Sequence, residues 1–223
     1  VFKSFTSVQL EPFQDSVAFT ENWNGSSWTE TGDMNTGRRL PGGNGTTTSS
    51  LAYGGETGPT NQLTITESWN GSSWTEVNDL NTQKNQTFGS GADNTSALNF
   101  GGDDPAPGAA VGVEAWNGTS WFIVNSMNTG VESPAGSGTQ EATVKFGGSD
   151  SGAKANTELW NGSVWTETND LNTARAALAA GGYGGNTSSL AFGNDATNNT
   201  EEWNADIAVG AWVTGGNLNT ARG

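Results

Sequence analysis

A tryptophan recurs five times, at Trp28, Trp74, Trp121, Trp165 and Trp212, and each copy is followed at fixed distances by the same short word. Met or Leu stands six residues on, at Met34, Leu80, Met127, Leu171 and Leu218. Asn-Thr comes next, at Asn35-Thr36, Asn81-Thr82, Asn128-Thr129, Asn172-Thr173 and Asn219-Thr220. Ten residues after the Trp a basic side chain appears as Arg38, Lys84, Arg175 and Arg222, with Val131 the exception. The copies lie 44 to 47 residues apart. A period of that size is one supersecondary unit repeated, each unit burying its apolar face against its neighbours. The chain must therefore fold as an array.

Composition decides what kind of array. Only 32 % of the 223 residues are hydrophobic and 33 are Gly, which alone would suggest disorder. Ten Trp and nine Phe at regular positions argue the other way, since periodic large aromatics supply a repeated core. No stretch of ten or more residues carries apolar side chains at i, i+3, i+4 and i+7, so helix is not expected.

One unit reads as four short strands. Arg175-Ala-Ala-Leu-Ala-Ala-Gly-Gly182 is an apolar run closed by a glycine pair. Ser189-Leu-Ala-Phe-Gly193 follows, then Thr200-Glu-Glu-Trp203, then Trp212-Val-Thr214. Runs of this length bounded by Gly, Asn and Asp read as strands. The third and fourth strands are joined by Trp23-Asn-Gly-Ser-Ser-Trp28, Trp69-Asn-Gly-Ser-Ser-Trp74, Trp116-Asn-Gly-Thr-Ser-Trp121 and Trp160-Asn-Gly-Ser-Val-Trp165. Asn-Gly tolerates positive φ at both residues, which predicts a tight hairpin with the two Trp at its base. Trp203 and Trp212 flank a longer, looser version.

Four antiparallel strands in about 45 residues is the pattern of a β-propeller blade. The fold expected is all-β, a propeller of five blades with four antiparallel strands each. Strands three and four occur five times and strands one and two clearly only four times, so the first blade is incomplete within this chain. Residues 1–15 are read as an N-terminal extension or a completing strand, and 16–223 as the repeats. The rest of the ring would come from Phe5 to Leu10, from residues beyond 223, or from a neighbouring chain.

The glycine-pair elements Ser50-Leu-Ala-Tyr-Gly-Gly55, Ala97-Leu-Asn-Phe-Gly-Gly102 and Thr143-Val-Lys-Phe-Gly-Gly148, with the Trp, the Met/Leu and the Arg that follow, resemble the kelch repeat family over roughly residues 16–223. Trp stands where kelch repeats usually carry Tyr, and Val131 breaks the basic position. The wording Trp-Asn-Gly-Ser-Ser-Trp-Thr-Glu and Leu-Asn-Thr-Ala-Arg is similar to kelch-like arrays in virion and tail-fibre proteins of marine and cyanobacterial phages. That resemblance implies a structural or adhesive role on a virion or extracellular surface.

The chemistry the chain can carry is narrow. With no His and no Cys it has no Ser-His-Asp triad, no thiol nucleophile and no nitrogen or sulfur metal site. A galactose-oxidase type of copper centre is thereby excluded. A sialidase would need an Arg cluster and a Tyr nucleophile, and nothing selects two acids from 23 for glycoside cleavage. A formal charge of −15 repels phosphate backbones, so nucleic acid is not an expected partner. No run of about 18 apolar residues exists to insert in a membrane.

The ten Trp (Trp23, Trp28, Trp69, Trp74, Trp116, Trp121, Trp160, Trp165, Trp203, Trp212) are read as inter-blade core, with one of each pair partly exposed. The competing reading is a set of sugar-stacking platforms. The basic side chains are read as pairing with a carboxylate or with blade-edge carbonyls, for which Asp33, Asp79 and Asp170 are the suggested partners or turn caps. A charged ring around a channel is the alternative. Asn-Gly-Ser/Thr triplets at Asn24, Asn44, Asn70, Asn117 and Asn161 match a glycosylation acceptor, but turn geometry explains them first. Loops between strands differ among the copies and are where specificity is expected: Glu56, Asn61, Asp103, Asp104 and Asp150 mark them, with Asp103-Asp104 and Asp150 the acids that could hold Ca²⁺. No cofactor is called for. The function expected is a non-enzymatic structural or adhesive module that binds a host-surface glycan or a neighbouring virion or surface protein, compatible with a homo-oligomer. A lectin with glycan sites repeated between blades is the alternative.

Overall fold

The computed structural model describes residues 18–58, 61–103, 109–182, 185–194, 198–205 and 211–216. The segment 1–15, Asp104, Leu218, Asn219-Thr220 and Arg222 lie outside them. The described residues form eighteen strands and no helix.

The strands fall into five sheets. The first is a two-stranded ribbon, β1 (Glu21–Trp23) and β2 (Trp28–Glu30). The second holds β3 (Gly42–Thr46), β4 (Ser49–Tyr53), β5 (Thr66–Trp69) and β6 (Trp74–Val77). The third holds β7 (Phe88–Asp93), β8 (Ser96–Phe100), β9 (Val113–Trp116) and β10 (Trp121–Val124). The fourth holds β11 (Ala135–Thr139), β12 (Ala142–Phe146), β13 (Thr157–Trp160) and β14 (Trp165–Glu167). The fifth holds β15 (Ala179–Gly181), β16 (Ser188–Phe192), β17 (Thr200–Asn204) and β18 (Ala211–Thr214).

Every complete sheet is an antiparallel meander in chain order. The first strands lie side by side, β3 with β7, β7 with β11 and β11 with β15, so each sheet runs outward from a shared centre. This is the blade arrangement of a propeller, with the first blade represented by its outer two strands. Among the described residues, this succession of neighbouring first strands runs from sheet two to sheet five. Trp28 and Leu190, at the two ends of the arc, are 63 % and 38 % exposed.

The core lies between sheets. Trp116 and Trp121 cluster with Leu51, Tyr53 and Leu80 of the preceding unit. Trp160 and Trp165 do so with Leu98, Phe100 and Met127, and Trp203 and Trp212 with Val144, Phe146 and Leu171. The Met or Leu of the repeated word is thus the floor on which the next sheet's indoles rest. Glycine in the first strand leaves room for the ring on the second. A Cβ at Gly89 would collide with the Tyr53 hydroxyl. At the glycine pair both residues are left-handed, Gly54 at φ +62° and Gly55 at φ +87°, and a Cβ at Gly54 would meet the Lys84 carbonyl at 2.5 Å.

The hairpins place the two Trp at their base as expected, but positive φ at both Asn and Gly is not found. Asn70 closes a four-residue loop by donating its N–H to the Ser73 carbonyl at 3.3 Å. Only the glycine has positive φ, +96° at Gly71. The Asn side chain supplies what a second left-handed residue would have supplied: its Oδ1 accepts from the Ser72 and Ser73 N–H groups at 3.0 Å each. The same bonds recur at Asn24, Asn117 and Asn161. Trp69 and Trp74 then face each other as the first pair of the ladder, ring centroids 5.4 Å apart.

Candidate functional site

A glutamate two residues before the first Trp of each pair, on the third strand, organises the array. Glu67 on β5 accepts from the Asn35 N–H and Asn35 Nδ2 at 2.7 Å each and from the Thr36 N–H at 3.1 Å. Arg38 completes the cradle with a fully buried ion pair to the same carboxylate. Donors and acceptor belong to successive units, so each cradle clamps the end of one sheet to the outer half of the next. Glu114 holds Asn81 and Thr82, Glu158 holds Asn128 and Thr129, and Glu201 holds Asn172 together with Arg175. Burial pushes the Glu67 carboxyl up, but the Asn35 and Thr36 donors and the Arg38 charge outweigh it and hold it below the usual carboxylate range. The charge-assisted bonds are of the strong kind.

The exception at Val131 has a structural answer. Lys145, on β12, lies directly across the ladder from Glu158 and donates to it at 3.1 Å, both side chains fully buried. In the units where Arg38 and Arg175 supply the cation, the residue facing the glutamate is Ala52 or Ala191. The cation has moved from the loop to the neighbouring strand while the carboxylate keeps its charge partner. Burial pulls the Lys145 ammonium below its usual range, and the Glu158 carboxylate opposes that pull.

Asp79 and Asp170 are not the partners of the basic position. Asp79 accepts from the Thr66 N–H and Asp170 from the Thr157 N–H, each at 3.1 Å, so both cap the start of a third strand. Arg38, Lys84 and Arg175 are all buried rather than lining an open channel, and Lys84 donates to the Gly112 carbonyl at 2.5 Å.

The indoles make a second set of locks. The first Trp of each pair bonds the turn between strands one and two of its own sheet: Trp69 to the Thr47 carbonyl at 3.0 Å, Trp116 to Asn94, Trp160 to Gln140, Trp203 to Asn186. The second Trp reaches back one sheet, Trp74 to the Thr20 hydroxyl, Trp121 to Thr66 and Trp212 to Thr157. Trp165 finds no acceptor, because Val113 stands where the other sheets have Thr. Both members of the last three pairs are buried, so the expectation of one partly exposed Trp per pair holds only for the half-buried Trp74. Trp23 and Trp28 are both exposed, and among the described residues no sheet lies in front of them.

The marked binding positions that fall within the described residues, Glu56, Asn61, Asp103 and Asp150, gather on one rim, where the loops from second to third strand meet the loops between sheets. Glu56 is buried, paired with Arg39 at 2.7 Å and bonded by Asn85 Nδ2 at 2.6 Å. Asp103 accepts from Gln62 Nε2 at 3.0 Å. Asp150 lies 3.8 Å from Lys154 Nζ. Glu132 sits between these acids: partial burial, then the Asp103 and Asp150 charges, raise its carboxyl above the usual range. Asn61 is exposed in a local turn with Thr57. Thus Asp103 and Asp150 approach a common carboxylate, whereas Glu56 is absorbed in its ion pair with Arg39 and the bond from Asn85, and Asn61 stays at the loop tip. Among the described residues no three acids are placed to hold a metal ion. At the centre a cavity of about 240 Å³ is lined by the first strands, with Asn44, Ser90 and Ser137 among the glycines.

Two sets of residues escape the reading of the sequence. The glutamates repeat in Thr20-Glu21, Thr66-Glu67, Thr157-Glu158 and Thr200-Glu201, a signal present in the sequence. Lys145 occurs in one unit only and leaves no periodic trace. Compared with protein families and with characterised proteins, the chain matches none.

Proposed function

We propose that this is a non-enzymatic structural and adhesive propeller module, kelch-like in its repeat, carried on a virion appendage such as a tail fibre or on another extracellular surface. It binds a host-surface glycan or a neighbouring protein through the rim of inter-strand loops. One observation carries the reading: the side chains that repeat are consumed by clamping sheet to sheet, while those that vary collect on one rim. Glu67, Glu158, Arg38 and Arg175 are buried in such clamps. On the rim, by contrast, 57–58 with Asn61, the Asp103 region and 149–154 differ in length and charge between units. Loops on a rigid scaffold can change without cost to the core, which is what a recognition surface requires.

The indole platforms of the lectin alternative do not favour it, since Trp116, Trp121, Trp160 and Trp165 are buried against apolar side chains of the neighbouring sheet. The test is a binding screen of the folded protein on a glycan array and on intact host-type cells, repeated with rim variants Asn61→Ala and Asp150→Ala. Weakened binding with unchanged melting supports the rim. Binding that survives both substitutions and a further Lys154→Ala rejects it.

A further inference from the structure

Among the described residues, glycine fills most of the left-handed backbone positions, Gly54, Gly71 and Gly102 among them. At one place, repeated four times, it does not. Leu40, Gln86, Ser133 and Ala177 stand at φ +54°, +51°, +46° and +51°. Each lies twelve residues after the second Trp of its unit, in the loop that leads from one sheet to the next. A residue with a side chain is strained at such a φ, and glycine is not. A sequence with 33 glycines has the relaxed solution to hand, yet all four places keep a side chain. Strain of this kind, repeated at equivalent positions, points to a functional use of the side chains. Packing does not supply that use. Leu40 is 48 % exposed, Ala177 is exposed, and Gln86 and Ser133 are half-buried. None of the four belongs to the apolar clusters between sheets.

The backbone sets these side chains in a row. The Gln86 N–H donates to the Leu40 carbonyl at 3.1 Å and the Ser133 N–H to the Gln86 carbonyl at 2.9 Å, so consecutive loops touch directly. Neighbours in the row are therefore spaced like residues on paired strands, roughly 5 Å apart. Ala177 holds the same place in the next unit. The Ser133 hydroxyl donates to Gln86 Oε1 at 2.9 Å, which leaves Gln86 Nε2 to donate and the Ser133 oxygen to accept. The row stands on the rim, one residue past the bridges that tie Arg39 to Glu56, Asn85 to Asp103 and Glu132 to Ser149. It carries no charge of its own.

We infer that Leu40, Gln86, Ser133 and Ala177 form a seat, one residue per unit, for an uncharged oligosaccharide. The seat lies within the proposed recognition rim, on whose role it rests, and it fixes the ligand as neutral sugar rather than protein. Leu40 and Ala177 offer apolar surface to the C–H faces of sugar rings, while Gln86 and Ser133 bond the hydroxyls. The main-chain N–H and C=O of Gln86 are already engaged by the neighbouring loops, so an extended peptide finds no open backbone edge to pair with there. An acidic sugar is repelled by Glu132, by Asp103 and Asp150 around it, and by the net charge of −15.

Replacing a strained residue by glycine removes the side chain and relaxes the backbone together. Leu40→Gly and Gln86→Gly should therefore melt like the parent or above it, while the Kd for neutral oligosaccharides, found on a glycan array and measured by calorimetry, rises severalfold. Gln86→Asn keeps the amide and tolerates a left-handed φ, so it should recover part of the affinity lost in Gln86→Gly. Sialylated and sulfated counterparts should bind the parent more weakly than the neutral ones. Lowered melting in the glycine variants would mean that the side chains serve folding, and unchanged affinity in both would place the contact elsewhere on the rim; either overturns the seat. A parent protein that binds no neutral oligosaccharide overturns it too. If that protein still adheres to host-type cells, the rim keeps its role with a protein partner; if it adheres to nothing, both readings fail.

Discussion

Replacing Lys145 by Met keeps a long apolar stem and removes only the charge that Glu158 faces. Both side chains are fully buried and 3.1 Å apart, so the carboxylate would be left without its cation in a dry interface. Removing one member of such a pair typically costs about 3–5 kcal/mol. Glu158 retains the Asn128 N–H at 2.8 Å, Asn128 Nδ2 at 2.9 Å and the Thr129 N–H at 3.1 Å, which places the expected loss near the lower end. For a chain of this size, about 3 kcal/mol corresponds to a Tm drop of roughly 6–12 °C. The informative partner is Val131→Arg combined with Lys145→Ala. That pair recreates the arrangement around Glu201, where Arg175 provides the cation and Ala191 faces the glutamate. It should melt within a few degrees of the parent, while Val131→Arg alone should be destabilised by two buried cations on one carboxylate. Thermal unfolding followed by circular dichroism, at constant pH and salt, reads all four. A Lys145→Met variant that melts like the parent, or a double variant no better than Lys145→Met, would refute the idea that the cation has moved between positions.

Four further outcomes follow from the same geometry. Glu67 is held below its unfolded value of 4.5, so the stability it contributes is complete above that pH and is lost as pH falls through the lower folded value; Glu67→Gln should flatten that part of the acid-unfolding curve. Val113→Thr gives Trp165 Nε1 the acceptor its counterparts have, and chemical denaturation should show a gain of about 1 kcal/mol, with a loss instead if the hydroxyl cannot turn toward the indole. Ala177 sits at φ +51°, a left-handed conformation costing an L-residue about 1–2 kcal/mol, so Ala177→Gly should be neutral to stabilising by up to roughly 1 kcal/mol where Ala→Gly ordinarily destabilises. Trp165→Ala empties a site packed against Phe100 and should cost about 3–5 kcal/mol, seen as a lowered denaturation midpoint.

The architecture was legible because strands leave short-range marks. The Trp pairs, the Asn-Gly loops and the Gly-Gly closures are local, and each marks the element it was read as marking. The turn at Asn70 was placed correctly but given the wrong geometry, because a side-chain oxygen can replace a second left-handed residue and the letters Asn-Gly do not distinguish the two. The cradle was half visible. Asn81-Thr82 and Lys84 stand out as a word, yet the glutamate that holds Asn81 and Thr82 lies about thirty residues on in another sheet, and the nearer Asp79 is occupied in capping Thr66. Lys145 was invisible because a compensating change breaks the repeat in two places at once, and each break looks like noise by itself. The rim was legible only as variability: that Glu56 is buried beneath Arg39 while Asn61 is exposed depends on how adjacent units lean together.

The cradle also sets the grain at which such an array can grow or shrink. Because a loop at the end of one unit serves a carboxylate in the next, no single unit is self-sufficient, but every period holds one donor set and one acceptor. A genetic duplication or loss of one whole period restores both junctions wherever the cut falls, whereas a cut of any other length strands a buried charge. Recombination among such sequences should therefore be phase-free and length-strict, varying the number of units while preserving their interlock.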